Sequence, residues 1–178
     1  MKIINIGGAT GIIEHNGKRI LFDPGLDDGI VHGAWFHYPP LKTKLKDLGK
    51  FDYIYISHIH EDHCSANTIK HLNTDAEIIV MDRTPRIRNF VTNFLQKHNF
   101  NFSNVHLIHP ENPVEIFPGF IVDMVEADSE DEYSYLMDSG LIIDWDGFVI
   151  YNSNDCGPCT KGKKYILDNY KNIDLALL

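Results

Sequence analysis

Eleven short runs of aliphatic, aromatic and β-branched residues divide this chain of 178 residues, and Gly, Pro, Asn or Asp bounds each run. Such runs are typical of strands of about four to eight residues that are separated by turns. The chain is therefore expected to fold mainly as β-sheet. The predicted strands are residues 2–6, 11–15, 18–22, 51–57, 77–81, 104–108, 113–116, 119–125, 140–145, 147–152 and 174–178.

Three other segments have helical character. One helix is predicted to start near Ser65, and another opens with Thr84 as N-cap and Pro85 at the first helical position, where these residue types are favoured. A third runs from about 161 to 170. No linker or low-complexity tract interrupts the chain, so the prediction is a single α/β domain of the α+β type over residues 1–178.

A weak internal repeat relates residues 11–22 to residues 141–152. Each segment reads as two apolar strands joined by a two-residue turn, Asn-Gly in the first and Asp-Gly in the second. Because this turn is common in β-hairpins, the repeat fits two unrelated hairpins as well as a fold built from two similar halves. The second interpretation favours a sheet-on-sheet core with helices outside.

The overall charge and the cysteine content narrow the class of function. The chain has 25 acidic against 16 basic residues and a formal charge of −9, which argues against nucleic acid as a partner. No apolar run has the length of a membrane span, and the N-terminus does not resemble a secretory signal. Three cysteines are too few for a disulfide framework. We expect a cytoplasmic protein that acts on a small molecule and binds no membrane.

The densest group of chemically active residues directly follows the predicted strand 51–57. It contains His58, His60, Asp62 and His63. Four potential ligands in six residues cannot all reach one ion, so His58 and His60 are predicted to serve one metal, and Asp62 and His63 an adjacent one. Imidazole with carboxylate suits zinc, iron or manganese. The alternative is a polar loop with chance histidines, but metal sites recruit clustered His and Asp in this way.

The pattern His-x-His-x-Asp-His after a hydrophobic strand resembles the metallo-β-lactamase superfamily. Residues 7–10 with 12–14, and then residues 20–24, are similar to the opening hairpin and Asp-Pro turn of that superfamily. Residues 35–40, 55–63 and 154–156 most resemble the branch that contains the ascorbate-phosphate lactonases and the metallo-β-lactamase-like domain of CMP-N-acetylneuraminate hydroxylase. The resemblance implies an αβ/βα sandwich of two similar halves, with Asp155 as a ligand that bridges both metals.

The third ligand of the first metal departs from the superfamily pattern. The superfamily usually has a His before the second hairpin, and residues 125–132 contain none. A carboxylate is the expected substitute, Asp128 by position, with Glu126 and Glu130 as alternatives. Such a centre favours iron or manganese over zinc. The competing interpretation is an acidic loop that faces solvent, since charged residues are mostly exposed.

The C-terminal segment is a second departure. The superfamily places its last metal-binding His on a further strand, whereas residues 174–178 resemble the penultimate strand. We therefore expect a sandwich that is incomplete at its C-terminus, with an open sheet edge. Either that edge pairs in a homodimer, or a C-terminal continuation in a longer polypeptide supplies the missing strand and ligand.

The resemblance implies a metal-dependent hydrolase with two divalent transition metal ions. A metal-activated water would attack an ester, a lactone or a phosphoester, and Asp62 and Asp155 would handle protons. The alternative is a diiron oxygenase that hydroxylates a sugar nucleotide or a related small molecule. The chain lacks a Rieske Cys-x-His pair, so that reaction needs a partner to supply electrons. A third interpretation is a remnant without catalytic activity.

The cysteines and two aromatic-loop histidines have alternative interpretations. The sequence Cys-Gly-Pro-Cys at 156–159 also occurs in thioredoxins, but only 19 residues follow it, too few for that fold. It is expected to be a turn, with Pro158 starting the next helix. Cys64 is expected to be a small buried residue. His32 and His37 belong either to a substrate-binding wall or to a packed aromatic loop.

Overall fold

The computed structural model describes residues 1–82, 89–127, 138–155 and 157–177. The chain divides into two compact units, residues 1–80 with 90–106 and residues 81–89 with 107–178. The first unit carries most of a six-stranded sheet, and the second carries a five-stranded sheet. This mixed α/β architecture with two sheets confirms the predicted fold class.

Eleven strands form within the described ranges, and each coincides with a predicted run. Their bounds are β1 Lys2–Gly7, β2 Thr10–His15, β3 Lys18–Phe22, β4 Tyr53–Tyr55, β5 Glu77–Met81, β6 Asn104–Ile108, β7 Val114–Phe117, β8 Phe120–Glu126, β9 Ser139–Trp145, β10 Phe148–Asn152 and β11 Leu175–Leu177. The helices are α1 Ile30–Gly33, α2 Ala66–Ile69, α3 Phe90–Lys97 and α4 Thr160–Asn169, with a 3-10 turn at Leu45–Asp47.

The helices agree with the sequence prediction in part. The Ser65 side chain accepts a hydrogen bond from the Thr68 amide, as expected of the N-cap of α2. Helix α4, Thr160–Asn169, agrees with the predicted segment 161–170 to within one residue at each end. The predicted helix start at residues 84–85 lies outside the described residues. Among the described helices, none is long and apolar enough to span a membrane.

The first unit is built on the strand order β1-β2-β3-β4-β5-β6. Strands β1 to β3 pair antiparallel, whereas β3, β4 and β5 pair in parallel. Strand β4 is buried along its whole length, as is usual for a central parallel strand. Helices α2 and α3 contribute Ile69, Val91 and Leu95 to the apolar core of this unit.

The second unit is built on the strand order β11-β10-β9-β8-β7. Strand β11 pairs in parallel with β10, and the other neighbours pair antiparallel. Ile166 of α4 packs with Val125, Ile142 and Tyr151. Both members of the internal repeat form hairpins, β2–β3 in the first unit and β9–β10 in the second.

A buried carboxylate holds the C-terminal half of α4 and the residue after it. Asp123 on β8 is 1% exposed, and one of its oxygens accepts hydrogen bonds from the hydroxyls of Tyr165 and Tyr170, at 2.8 and 2.7 Å. Burial, and then the Asp123 carboxylate, raise the pKa of Tyr170 well above its ordinary value. The neutral phenol is therefore the form that the folded protein prefers.

We expect Tyr170→Phe to lower the free energy of unfolding by about 1–2 kcal/mol at neutral pH, because a hydrogen bond to a charged group is lost. A raised pKa in the folded state stabilises the protein below the ordinary tyrosine pKa of about 10, and that contribution disappears as the pH rises further. Urea unfolding of both proteins at neutral pH and at about pH 11 measures this. A difference that does not shrink at alkaline pH contradicts the assignment.

Candidate metal centre

Four of the predicted ligands lie on one tight loop after β4, residues 58–63, which we call the ligand loop. The amides of His63 and Cys64 both donate to the carbonyl oxygen of His60, at 3.0 and 2.7 Å, and this closes the loop. His58 and His63 are only 1% and 2% exposed, whereas His60 is exposed. The loop therefore holds two imidazoles rigidly and presents a third to solvent.

The first predicted ligand pair converges in space. The Nε2 atom of His58 lies 2.8 Å from the Nδ1 atom of His60. Two nitrogen ligands on one tetrahedral ion, each about 2.0–2.1 Å from it, are about 3.3 Å apart. The two nitrogens are therefore nearly at the separation that a shared metal ion requires.

The second predicted pair is also close. One carboxylate oxygen of Asp62 lies 3.6 Å from Nε2 of His63, and the Asp62 side chain is 30% exposed. The rings of His58 and His63 are neighbours, with centroids 4.2 Å apart. The chain thus places an imidazole pair and an imidazole–carboxylate pair side by side on one loop. The role of these four residues as ligands stays a prediction.

Sequence reasoning gave no role to Asp23, a fully buried carboxylate behind the ligand loop. One of its oxygens accepts the amide hydrogen of Ser57 at 2.7 Å. The other accepts from the hydroxyl of Ser57 at 3.0 Å and lies 3.1 Å from Nδ1 of His63. A carboxylate on the far nitrogen of a ligand histidine fixes the tautomer and orientation of the ring. Asp23 therefore orients the ring of His63 so that its Nε2 atom faces Asp62.

Parallel pairing of β3 with β4 brings Asp23 to the ligand loop. Phe22 lies opposite Tyr55, and the amide of Asp23 donates to the carbonyl oxygen of Tyr55 at 2.9 Å. The residues that follow these two strands therefore meet at one edge of the sheet. A signal was available, since Asp23 directly follows an apolar strand as His58 does, but the two are far apart in sequence.

Gly25 allows the ligand loop to approach the segment that follows β3. A β-carbon at this position would lie 1.9 Å from the carbonyl oxygen of Asp62 and 2.5 Å from the amide nitrogen of His63. No side-chain rotation relieves such a contact, because both atoms belong to the backbone. Only glycine fits at position 25, because a side chain there would overlap the backbone of Asp62 and His63.

We expect Gly25→Ala to displace the ligand loop and to cost at least the 1–3 kcal/mol or so of an overpacked core. Zinc affinity is expected to fall together with stability, because the backbone of Asp62 and His63 has to move. Thermal unfolding and zinc titration of the variant measure the two effects. Gly11→Ala is the control, since a β-carbon there meets only ordinary van der Waals contacts, at 3.5 and 4.0 Å. Unchanged zinc affinity in Gly25→Ala contradicts the assignment.

Ile59 and Glu61 of the ligand loop line a cavity of about 750 Å³ in the first unit, together with residues 27–30, residues 32–33 and Phe94 of α3. A carboxylate oxygen of Glu61 accepts the amide hydrogen of Val31 at 2.7 Å, which ties helix α1 to the ligand loop. Helix α1 was not predicted from the sequence.

Cys64 lies on the wall of the same cavity. It is 2% exposed, which confirms the prediction of a small buried residue. Burial raises the pKa of its thiol far above the ordinary value, so the neutral thiol is the favoured form.

The aromatic loop after α1 is not packed into the core. Trp35, Phe36 and Tyr38 are 58%, 67% and 96% exposed, so the alternative of a packed aromatic loop is wrong for these residues. His37 is held by Asp28, whose carboxylate lies 2.9 Å from its Nδ1 atom.

The other predicted site residues belong to the second unit. Asp155 lies on the loop that follows β10, and Glu126 is the last, half-buried residue of β8. Asp128, Glu130 and Cys156 lie outside the described residues. Their roles, and that of Asp155, stay predictions.

The prediction that Pro158 starts α4 is wrong. The helix begins at Thr160, and the sulfur of Cys159 accepts the amide hydrogen of Gly162 at 3.3 Å as its N-cap. Pro158 instead forms an isolated β-bridge with Ala127, in which the Cys159 amide donates to the carbonyl oxygen of Glu126. Proline has no N–H of its own, so the bridge uses the amide of the next residue.

Comparison with curated proteins finds relatives of the hydroxylase branch. The chain is 28% identical over 154 residues to the cytidine monophosphate-N-acetylneuraminic acid hydroxylase of Danio rerio, covering 82% of this chain. It is 31% identical over 147 residues to the enzyme of the same name from Sus scrofa, covering 78% of this chain. It spans only 24% and 31% of the length of these two relatives.

Solved structures support the same fold. The isothiocyanate hydrolase from Delia radicum gut bacteria matches with a TM-score of 0.71 at 19% identity, over 96% of this chain and 69% of that one. CmlA, a diiron beta-hydroxylase from Streptomyces venezuelae, matches with a TM-score of 0.72 at 16% identity, over 98% of this chain and 33% of that one. At these identities the likeness concerns the fold alone.

The family model of the beta-lactamase superfamily domain matches residues 18–178, a range that contains every predicted ligand. This match covers most of the chain. The two sheets and the solved structures of similar fold agree with it. The chain therefore belongs to the beta-lactamase superfamily, an enzyme superfamily whose fold implies divalent metal ions.

Proposed function

We propose that this protein is a metal-dependent hydrolase with a dinuclear centre on the ligand loop. The observation that carries the proposal is the 2.8 Å approach of His58 Nε2 and His60 Nδ1, beside the close pair of Asp62 and His63. Two donor pairs on one rigid loop suit two adjacent ions. When bound, such ions activate a water and polarise the substrate oxygen.

The side chains of the chain itself have separate tasks in this proposal. His58 and His60 hold one ion, and Asp62 and His63 the other. Asp62 is partly exposed and its carboxylate can also accept a proton during hydrolysis. From the superfamily resemblance, Asp155 is proposed as a further ligand and proton carrier, and Asp128 as the third ligand of the first ion.

The proposed substrate is a small molecule with an ester, lactone or phosphoester bond. The hydrolase among the fold neighbours and the superfamily match support hydrolysis. Neither defines the substrate of this chain, because a likeness of that kind concerns the fold.

The test combines metal analysis with activity. We expect the purified protein to hold up to two transition metal ions per chain, and to hydrolyse at least one member of a panel of generic esters, lactones and phosphodiesters after loading with zinc, manganese or iron. Chelation is expected to abolish that activity, and added metal to restore it. Absence of bound metal, with no activity after loading, contradicts the proposal.

A second candidate is a diiron oxygenase that hydroxylates a sugar nucleotide or a related small molecule. The observation that favours it is the similarity to two curated relatives that are named as hydroxylases. Because this chain spans less than a third of either relative, an electron-supplying partner or a further domain is part of this candidate.

Iron and oxygen distinguish the two candidates. The oxygenase is expected to hold iron, to change its absorbance when the ferrous protein meets oxygen, and to consume oxygen with a reductant and CMP-N-acetylneuraminate present. The hydrolase is expected to do none of these with its own substrate. A ferrous protein that is inert to oxygen in the presence of the sugar nucleotide rejects the oxygenase.

A further inference from the structure

One hydroxyl lies between the buried carboxylate and two histidines of the ligand loop. The Oγ atom of Ser57 is 3.0 Å from a carboxylate oxygen of Asp23, 2.9 Å from Nδ1 of His58 and 3.2 Å from Nδ1 of His63. All four side chains are less than 5% exposed. Water therefore has little access to these contacts. Which group donates and which accepts in each hydrogen bond depends on which atoms carry the protons.

The protons in this cluster can be assigned from the chemistry of the groups. A carboxylate only accepts hydrogen bonds, and it is a stronger acceptor than a neutral imidazole. The single proton of the Ser57 hydroxyl therefore goes to Asp23, and the oxygen of Ser57 is left as an acceptor. Nδ1 of His58 must then carry a proton and donate it to Ser57, which leaves Nε2 of His58 without one.

The same carboxylate also acts on His63. Its Nδ1 atom lies 3.1 Å from Asp23, so this nitrogen donates directly to the carboxylate. The Nε2 atoms of His58 and His63, on the other side of each ring, face His60 Nδ1 and the Asp62 carboxylate in the two predicted ligand pairs.

We propose that Ser57 is a positioning residue that extends the effect of Asp23 to His58, so that one buried carboxylate sets the tautomer of one histidine in each ligand pair. This inference rests on the proposed metal centre for its purpose, but the tautomers themselves are a property of the metal-free protein. Loss of the hydroxyl is expected to affect His58, whereas His63 keeps its direct contact with Asp23.

The experiment compares wild type, Ser57→Ala and Ser65→Ala as metal-free proteins with 15N-labelled histidine. Long-range 1H–15N spectra report which ring nitrogen carries the proton. Ser65→Ala is the matched control, because it removes a buried hydroxyl two residues after His63 that bonds Asp27 and the Thr68 amide. We expect the Nδ1–H form for His58 and His63 in wild type and in the control. In Ser57→Ala, His58 alone is expected to change.

Zinc titration with a competing chelator supplies the second readout. Mutation of a residue that hydrogen-bonds a ligand histidine typically lowers metal affinity by about 10–100-fold. We expect a loss of this size for one of two zinc ions in Ser57→Ala. Ser57→Thr keeps a hydroxyl and is expected to keep the His58 tautomer of wild type. If the alanine variant does not fold, the His58 tautomer of the wild-type protein is the deciding measurement. A wild type that carries the proton on Nε2 of His58 overturns the proposal.

The two proposals fail in different ways. If wild type binds no zinc but shows the expected tautomers, the metal centre is wrong and the role of Ser57 stands. If wild type binds two zinc ions and Ser57→Ala changes neither tautomer nor affinity, the positioning role is wrong and the metal centre stands.

Discussion

Replacing His60 with alanine is expected to remove one of the two metal ions and to abolish hydrolysis. His60 supplies one of the two nitrogens that converge at 2.8 Å, and it is exposed, so its loss leaves the core intact. We expect the affinity of the protein for that ion to fall by more than roughly 100-fold, the upper end for mutations of residues that only hydrogen-bond a ligand, because a direct ligand is lost. Metal counting after dialysis and zinc titration measure this.

His71→Ala is the matched control for that variant. His71 is exposed, follows α2, and bonds only a main-chain oxygen of Asn67 among the contacts described for its ring. Its loss is expected to leave two ions bound and activity unchanged. Full metal content together with full activity in His60→Ala would show that the first ligand pair is wrongly assigned.

The second large effect is expected from Asp23→Ala. The variant leaves the amide and hydroxyl of Ser57 and Nδ1 of His63 without their buried acceptor. A buried hydrogen-bond donor that loses its acceptor costs about 1–3 kcal/mol, and three donors lose theirs in this variant, so the loss is a large fraction of the stability of a typical domain. We expect a cooperative unfolding transition at much lower urea concentration, measured by circular dichroism.

Asp23→Asn separates the charge of this residue from its shape. The amide oxygen can still accept one hydrogen bond, so a smaller loss of stability is expected than for Asp23→Ala. Its NH₂ group cannot accept a hydrogen bond from Ser57 or His63, so weaker binding of both metal ions is expected. Zinc affinity equal to wild type in a folded Asp23→Asn would exclude Asp23 from the metal centre.

The strands could be predicted from the sequence because their signals are local. Apolar runs, and turns such as Asn16-Gly17 and Asp146-Gly147 with positive φ angles, give hairpins whatever surrounds them. The turn at α1 had no such signal, since Val31 and His32 adopt left-handed backbone angles that few non-glycine residues favour. Contacts with the ligand loop, such as that of Glu61 with Val31, hold it.

Four candidate ligands could also be identified from the sequence. His58, His60, Asp62 and His63 lie on one loop, so their pairing needs no distant segment. The residues next to Asp23 and Gly25 in the sequence do not indicate that these two residues belong to the site. Parallel pairing of β3 with β4 places Asp23 beside Ser57, and the packing of the next residues against Asp62 leaves no space for a side chain at Gly25. The sequence by itself determined which groups are available to bind metal. Only the tertiary structure decided which buried carboxylate orients them, because strand register brings together residues that lie about 40 positions apart along the chain.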